Sequence, residues 1–350
     1  MAKNTLKGSS ETTSTQKPKK KLPRFLNIHV LLLVILILFP ILIVWKYSRW
    51  VHYIDKDELN SEDIPIVPDT LDMILPLTKT DDYIDDGITT IAFFGNSPFA
   101  DDRNSDDNLV NMVKDRLGAE VYNFSMKDTH MACLFDEYVY FNYPLDAYSF
   151  YWLIEALTTN LGEEFFEQAS SMVDQMGDVK PEYCDEVVHE LLNVDFSKVD
   201  IAVIMYDALD YLDGMAMYDD SDHFSKICFT GSLESGIVKL QEKFPNTRII
   251  VMSPTYAYYR TEDGQYISSD IFYYKEIQGR DVLSTYSIKE GQSCALRHVT
   301  FIDNLYGTIT GANADQYLLD HLHLNVEGRK LVADRLIYAI QYFDRLQNAQ

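Results

Sequence analysis

Positively charged residues are scarce in this sequence of 350 residues, and those present are unevenly distributed. Against 54 Asp and Glu there are only 30 Lys and Arg, which gives a formal net charge of −24 at pH 7. Residues 1–24 hold seven of these cations beside a single acid, Glu11. Because so acidic a chain repels a phosphate backbone, the composition argues against nucleic acid as a partner.

Cysteine is also rare, and the four residues lie far apart at Cys133, Cys184, Cys228 and Cys294. There is no Cys-x-x-Cys pair, and the eight histidines show no His-x-x-x-His spacing. The sequence therefore predicts neither a metal nor a cofactor. Outside the cytosol, disulfides and buried thiols are both compatible with these positions.

One long apolar run stands near the N-terminus, from Phe25 to Trp45. Its 21 residues carry no charge and can cross a hydrocarbon core of about 30 Å. The run ends without an Ala-x-Ala-like site, so we interpret it as an uncleaved anchor in the lipid bilayer. The denser basic cluster before it predicts a cytoplasmic N-terminus and an extracytoplasmic C-terminal domain. The predicted organisation is a basic tail (1–24), a transmembrane anchor (25–45) and a stalk or lead-in (46–88).

From residue 89 onward, short apolar runs alternate with amphipathic helical patterns. These runs predict strands at 89–94, 121–124, 201–206, 248–254 and 299–303. The alternation predicts an α/β domain over 89–350: a flavodoxin-like three-layer α/β/α sandwich with a central, mostly parallel sheet. A helical insertion is expected at about 136–193, and ligands are expected beyond the carboxyl ends of the strands.

Two segments contain side chains suited to nucleophilic chemistry. Ser97 lies in Phe-Gly-Asn-Ser-Pro just after the first predicted strand, where backbone N–H groups can hold an oxyanion. Asp320 and His323 are three residues apart on a predicted turn, so both can serve one site. A carboxylate there would orient the imidazole, which would take the serine proton. His321 is a competing base with a less suitable spacing.

Together these segments resemble the SGNH (GDSL-type) superfamily of esterases and acyltransferases. Its first block, commonly Gly-Asp-Ser, matches Gly95-Asn96-Ser97, and its last block, Asp-x-x-His, matches Asp320 and His323. The resemblance implies that Ser97 is the nucleophile, His323 the general base and Asp320 its orienting partner. It also implies that the backbone N–H of Ser97 is one oxyanion donor.

The sequence departs from this family where the oxyanion hole is usually completed. In the second block, at 121–129, Asp128 stands near the usual Gly; in the third, usually Gly-x-Asn-Asp, Leu209 stands in place of Asn. Loss of an Asn donor removes a contribution of about 3 kcal/mol, so the resemblance implies reduced activity or another donor. The candidates for oxyanion or substrate contacts are Asn96, Asn123, Lys127, Asp128, Thr129, Leu209 and Asp210.

The resemblance and the anchor together predict an extracytoplasmic serine ester hydrolase or O-acyltransferase acting on acyl esters of a cell-envelope glycan. Ser97 would form an acyl-enzyme, and water or a sugar hydroxyl would accept the acyl group. A membrane-bound O-acyltransferase is an implied partner. The alternative is a non-catalytic scaffold or glycan-binding module on the same fold, accessory to such an enzyme.

Overall fold

The computed structural model of the chain describes residues 71–81, 83–159, 161–274 and 281–348. The predicted basic tail, the membrane anchor and most of the lead-in lie outside the described residues and stay predictions. Within the described ranges, no helix is both long enough and apolar enough to cross a bilayer.

The described residues form five parallel strands in one sheet and two antiparallel strands in a hairpin. In chain order the strands are β1 (Thr90–Gly95), β2 (Glu120–Asn123), β3 (Ile201–Met205), β4 (Arg248–Met252), β5 (Tyr258–Arg260), β6 (Tyr266–Ser268) and β7 (Thr300–Ile302). The sheet has the order β2-β1-β3-β4-β7, which is the 2-1-3-4-5 arrangement of flavodoxin-like folds. The predicted α/β fold with a parallel central sheet is therefore confirmed.

Helices flank this sheet, and their packing follows from the strand order. They are α1 (Ser97–Ala100), α2 (Leu109–Leu117), α3 (Phe150–Thr158), α4 (Glu163–Met176), α5 (Cys184–Asn193), α6 (Leu209–Leu212), α7 (Phe229–Lys243), α8 (Leu283–Leu296), α9 (Ala314–Tyr317), α10 (Val326–Ile340) and α11 (Tyr342–Asn348). The crossovers through α2 and α7 run in opposite directions along the sheet, so right-handed connections put these helices on opposite faces. Helix α2 packs against α10, whereas α7 packs against α3 and α8.

The central strands are continuous apolar runs because both of their faces are covered. All residues of β1 and β3 are buried, as expected for parallel strands between two helical layers. The register pairs Gly95 with Met205, so β1 and β3 end at the same edge of the sheet. Loops that follow these strands consequently meet there.

Helices α3, α4 and α5 lie within the predicted helical insertion and belong to the main core. Helix α3 packs closely on α7 because Gly236 leaves room for the ring of Phe150. A Cβ atom at Gly236 would lie 2.3 Å from that ring. Phe150, Leu153 and Val187 are fully buried in the main hydrophobic cluster, so these helices extend the core.

Residues 71–75, within the predicted lead-in, dock on the outer edge of the sheet. Met73 and Phe301 exchange two backbone hydrogen bonds, each 2.8 Å long. Asp72 forms an ion pair with Arg335 at 2.7 Å, and Ile74 is buried in the core. This part of the lead-in therefore packs as a component of the domain.

The hairpin β5–β6 was not predicted, although the sequence contains its turn. Asp263-Gly264 lies between two tyrosine-rich runs, and Gly264 has a φ of +82°, which is typical of a hairpin turn. The backbone N–H of Tyr258 donates to the carbonyl of His321 at 2.8 Å. The hairpin thus supports the loop that contains Asp320 and His323.

All four cysteines are buried. Cys133, Cys184 and Cys294 are free thiols, so the disulfide alternative is excluded for these three. Burial raises the pKa of Cys184 to about 11 and that of Cys133 to about 12. Both thiols are consequently protonated and unreactive at neutral pH.

Candidate active site

The turn between β1 and α1 holds Ser97 at the carboxyl edge of the sheet. Ser97 is the first residue of α1 and is only 2% exposed. Gly95 before it contacts the end of β3 so closely that a Cβ atom would lie 2.1 Å from the carbonyl oxygen of Met205. Glycine is therefore required for the ends of β1 and β3 to approach in this way.

Asn96 connects this turn to the two other loops of the candidate site. Its Nδ2 donates to Oδ1 of Asp207 at 2.7 Å and to the carbonyl oxygen of Thr129 at 3.0 Å. Its Oδ1 accepts from the backbone N–H of Asp207 at 2.8 Å. An Asp at position 96 could not donate to the carboxylate of Asp207. Asn in place of the Asp of Gly-Asp-Ser therefore suits this chain, because its amide can donate to the carboxylate of Asp207.

Asp320 and His323 form a local acid–base pair in the loop before α10. Oδ1 of Asp320 accepts from the backbone N–H groups of Leu322 and His323, both at 2.8 Å. Oδ2 accepts from Nδ1 of His323 at 2.7 Å. Burial alone would raise the pKa of Asp320, but these hydrogen bonds lower it to about 2. Asp320 is consequently ionised across the physiological range and fixes the imidazole.

The pKa of His323 also depends on carboxylates outside its own loop. Burial disfavours its charged form, but the hydrogen bond that His323 donates to Asp320 and the negative charges of Asp320, Asp101 and Asp207 raise its pKa. Asp101 directly follows α1, and its backbone N–H donates to the carbonyl oxygen of Ser97. With Nδ1 held by Asp320, Nε2 is the nitrogen able to take a proton.

Two further observations bear on the predicted triad. Nδ1 of His321 lies 3.8 Å from Oδ1 of Asp320, beyond hydrogen-bonding distance, so His321 is not oriented as His323 is. Among the described residues, no hydrogen bond joins the Ser97 hydroxyl to His323. Catalytic hydrogen bonds are often long without substrate and tighten in the complex.

Arg329 in α10 ties the acid–base loop to the nucleophile turn. Its guanidinium donates to Oδ2 of Asp102 at 2.7 Å, and its side chain is only 5% exposed. Asp102 lies two residues beyond α1 and has a φ of +52°. The two halves of the site, 227 residues apart in sequence, are therefore joined directly.

The second loop, after β2, offers few side-chain donors to an oxyanion. Asn123 uses its amide on the carbonyl of Phe99 at 3.1 Å, and Thr129 donates to the carbonyl of Met126 at 2.8 Å. Lys127 pairs with Asp101 and Glu182. Asp128 is exposed and has a φ of +55°, a backbone conformation that favours glycine. Asp128 therefore has the backbone conformation expected of the Gly usual in this block, but it adds a carboxylate there.

The third loop, after β3, has a structural role at the predicted positions. Leu209 is the first residue of α6, is half-buried and has no polar side-chain atom. Asp210 is buried and accepts from the backbone N–H groups of Met131 and Ala132, both at 2.9 Å. Asp210 thus holds the second loop in place.

Asp207 stands at the first position of the third block and has no role in the site predicted from the sequence. Its Oδ1 accepts from Asn96 and from the backbone N–H of Leu209, whereas its buried Oδ2 has no partner among the described residues. Burial outweighs these bonds and nearby His323, and raises the pKa of Asp207 to about 6. The clue in the sequence was an acid placed directly after a buried strand.

The arrangement as a whole combines a buried serine, an oriented imidazole and an unusually acidic surrounding. The described side chains form no cluster of three or more His, Cys, Asp or Glu able to hold a metal ion. A serine at the start of a helix and an imidazole held by a carboxylate are the groups that nucleophilic catalysis requires. The backbone N–H at the start of a helix, as at Ser97, is a group that can stabilise an oxyanion.

No protein-family model and no curated protein sequence matches this chain. Some solved structures are similar to it, including a protein from Lactobacillus plantarum (15% identity, 71% of this chain and 94% of that one, TM-score 0.46). Another is a possible lipase from Chitinophaga pinensis, with 10% identity over 73% of this chain and 99% of that one and a TM-score of 0.42. A third is a carbohydrate acetylesterase from Sinorhizobium meliloti, with 12% identity over 73% of this chain and 99% of that one and a TM-score of 0.41. Similarity at this level does not transfer an activity.

Proposed function

We propose that this protein is a serine ester hydrolase or O-acyltransferase of the SGNH type, with Ser97, His323 and Asp320 as its catalytic triad. The observation that carries the proposal is the Asp320–His323 pair. Three hydrogen bonds fix Asp320, one of them to Nδ1 of His323. A base oriented in this way, at the sheet edge where a buried serine begins a helix, suits acyl transfer.

The proposed reaction has two steps. Ser97 Oγ attacks the ester carbonyl carbon while its proton passes to Nε2 of His323, and the tetrahedral oxyanion forms beside the backbone N–H of Ser97. The leaving alcohol then takes the proton from His323, which leaves an acyl-serine. In the second step, His323 removes a proton from water or a sugar hydroxyl, which attacks the acyl carbon. Collapse of the second intermediate returns the proton to Ser97.

Acyl esters of a cell-envelope glycan are the substrate class that we propose. The predicted anchor (25–45) and the positive charge before it support an extracytoplasmic domain close to the membrane and envelope. A membrane-bound O-acyltransferase is the partner we propose for the transfer reaction. Protease accessibility of the domain in intact cells tests this orientation, because an extracytoplasmic domain is cleaved without lysis.

A second candidate function is a non-catalytic glycan-binding module or scaffold. It is favoured by Leu209 and Asp128, which stand where the family usually has an Asn donor and a Gly. An absent donor and an added negative charge both weaken oxyanion stabilisation. On this reading, the fold would be retained and the Ser97→Ala variant would keep its biological activity.

Fluorophosphonate labelling of the purified full-length protein tests the main proposal, with hydrolysis of p-nitrophenyl acetate measured in parallel. We expect the wild type and Ser125→Ala to be labelled and active, and Ser97→Ala to lose both properties. Ser125 is a matched control because it is buried and lies in the second loop, near the site. Absence of label and turnover in the wild type would favour the non-catalytic alternative.

A further inference from the structure

A cavity of about 550 Å³ opens beside the candidate active site, within the size range of small-molecule sites. Its walls come from the second loop (127–134), from residues 145–149 and from the segment 179–182 between α4 and α5. Two residues of the cavity wall contact the turn that contains Ser97 or the residue after α1. The carbonyl of Thr129 accepts from Asn96 at 3.0 Å, and Nζ of Lys127 lies 3.4 Å from Asp101.

Most charged groups of this cavity are already satisfied within the protein. Lys127 also pairs with Glu182 at 3.3 Å, and Nε2 of His130 contacts Asp213 at 2.9 Å. The carboxylate of Asp146 accepts two backbone N–H groups, and Lys180 pairs with an acid outside the cavity. These groups gain little by binding a polar ligand, because each contact would replace an existing one.

The remaining walls are apolar, and several of their side chains are exposed. Val179 is 86% exposed, Leu134 51% and Leu145 40%; Ala132 and Pro181 complete this side. A ligand that covers such side chains gains free energy in proportion to the apolar area removed from water. Asp128, the lining charge without a partner among the described residues, would repel an anionic ligand.

We propose that this cavity is the acyl-chain subsite of the ester substrate. It selects a neutral, apolar acyl group of several carbons over an acetyl group and over an acyl group that carries a second carboxylate. The inference rests on the proposed function, which it deepens by naming the acyl class. The helical insertion then has a specific purpose, since two of the three walls belong to it.

A series of p-nitrophenyl esters tests this selectivity with the full-length protein. Each added methylene should raise kcat/KM about threefold, hence about tenfold for the butyrate and about 100-fold for the hexanoate relative to the acetate. The monosuccinate ester should react more slowly than the butyrate. A flat series, or a preference that follows the alcohol length in alkyl acetates, would overturn the proposal.

Two aspartate substitutions locate the effect. Val179→Asp places a charge on the apolar wall and should reduce the hexanoate-to-acetate ratio of kcat/KM about tenfold. Ile84→Asp is the matched control, because Ile84 is equally exposed, at 86%, and does not line the cavity. It should leave the ratio unchanged. Equal effects of both substitutions would refute a subsite at Val179.

Binding of neutral amides separates this inference from the catalytic proposal. By calorimetry, Ser97→Ala should bind N-methylhexanamide at least tenfold more tightly than N-methylacetamide, and the added Val179→Asp change should abolish the difference. If this result is found in a protein that hydrolyses no ester, the subsite stands and the hydrolase proposal fails. If esters are hydrolysed but the two amides bind equally, the subsite is refuted.

Discussion

The two halves of the candidate site are built in different ways. The acid–base half, Asp320 and His323, lies within four residues and is fixed by hydrogen bonds inside its own loop. The oxyanion half is assembled from three loops that meet at Asn96. The first half matches the pattern of the SGNH superfamily that the sequence resembles, whereas Asp128 and Leu209 depart from that pattern in the second half.

Because the two halves are built differently, the groups proposed for proton transfer and those proposed for oxyanion stabilisation should respond differently to substitution. A short loop with its own hydrogen bonds keeps its geometry when the surroundings change. The oxyanion half depends on contacts between distant segments, so one substitution there alters several of its members. We therefore expect changes in the acid–base half to abolish activity and changes in the oxyanion half to adjust it in either direction.

The largest expected effect is that of Asp320→Asn. Without the carboxylate, His323 loses its preferred tautomer, and kcat for p-nitrophenyl acetate should fall by about 10³–10⁴. The pKa of His323 should also fall, so the acidic limb of the pH–rate profile should move to lower pH. Asp315→Asn, an exposed acid in α9, serves as the control and should leave both unchanged. A similar kcat in wild type and Asp320→Asn would exclude the triad.

Leu209→Asn should act in the opposite direction. It restores a side-chain donor where the family has one, so kcat should rise by up to about 10². Leu209→Ala, which adds no donor, should give no increase. If the Asn variant is no faster than the Ala variant, then position 209 does not face the oxyanion and the alignment of the third block is wrong.

Asp207→Asn should change how stability depends on pH. Burial raises the pKa of Asp207 from 3.8 to about 6, so the folded state binds this proton more tightly than the unfolded state does. Its stabilising contribution is present below about pH 4 and is lost as pH rises through 6, a change of about 2–3 kcal/mol. In the Asn variant, the free energy of unfolding should no longer fall in this way between pH 4 and 7, as measured by urea unfolding. An unchanged slope would contradict a buried carboxylate.

The smallest effect is expected for Arg329→Met, which removes the ion pair between the two halves. Asp102 is exposed and stays hydrated without its partner, so the free energy of unfolding should fall by only about 1 kcal/mol. The KM should change little, and kcat should fall several-fold because the base loop loses a link to the nucleophile turn. Lys330→Met, with its exposed ion pair to Glu327, is the control. If kcat is the same in Arg329→Met and Lys330→Met, then Arg329 has no positioning role.

The sequence was sufficient to predict the sheet and the loops that follow β1 and β3. Buried parallel strands are continuous apolar runs, and those at 90–95 and 201–205 stand out for this reason. The pair Asp320 and His323 was also predictable, because its members are three residues apart. Local patterns are therefore readable without a structure.

Contacts between distant segments were not predictable in the same way. The amide of Asn96 meets Asp207, 111 residues away, and Arg329 meets Asp102, 227 residues away. The side chains of Asn123 and Asp210 contact backbone groups that only the packed loops bring close. The cavity likewise draws its walls from three separate segments.

The docking of Met73 on β7 has a consequence for self-association. β7 is a strand of three residues at the edge of the sheet, and an uncovered edge strand can pair with a strand of another molecule. Met73 occupies the backbone groups of Phe301 on that edge. A chain shortened to begin at residue 89 would expose this edge and the apolar surface under Ile74. We therefore expect such a shortened chain to self-associate more readily than the full-length protein, because residues 71–75 cover part of an edge strand.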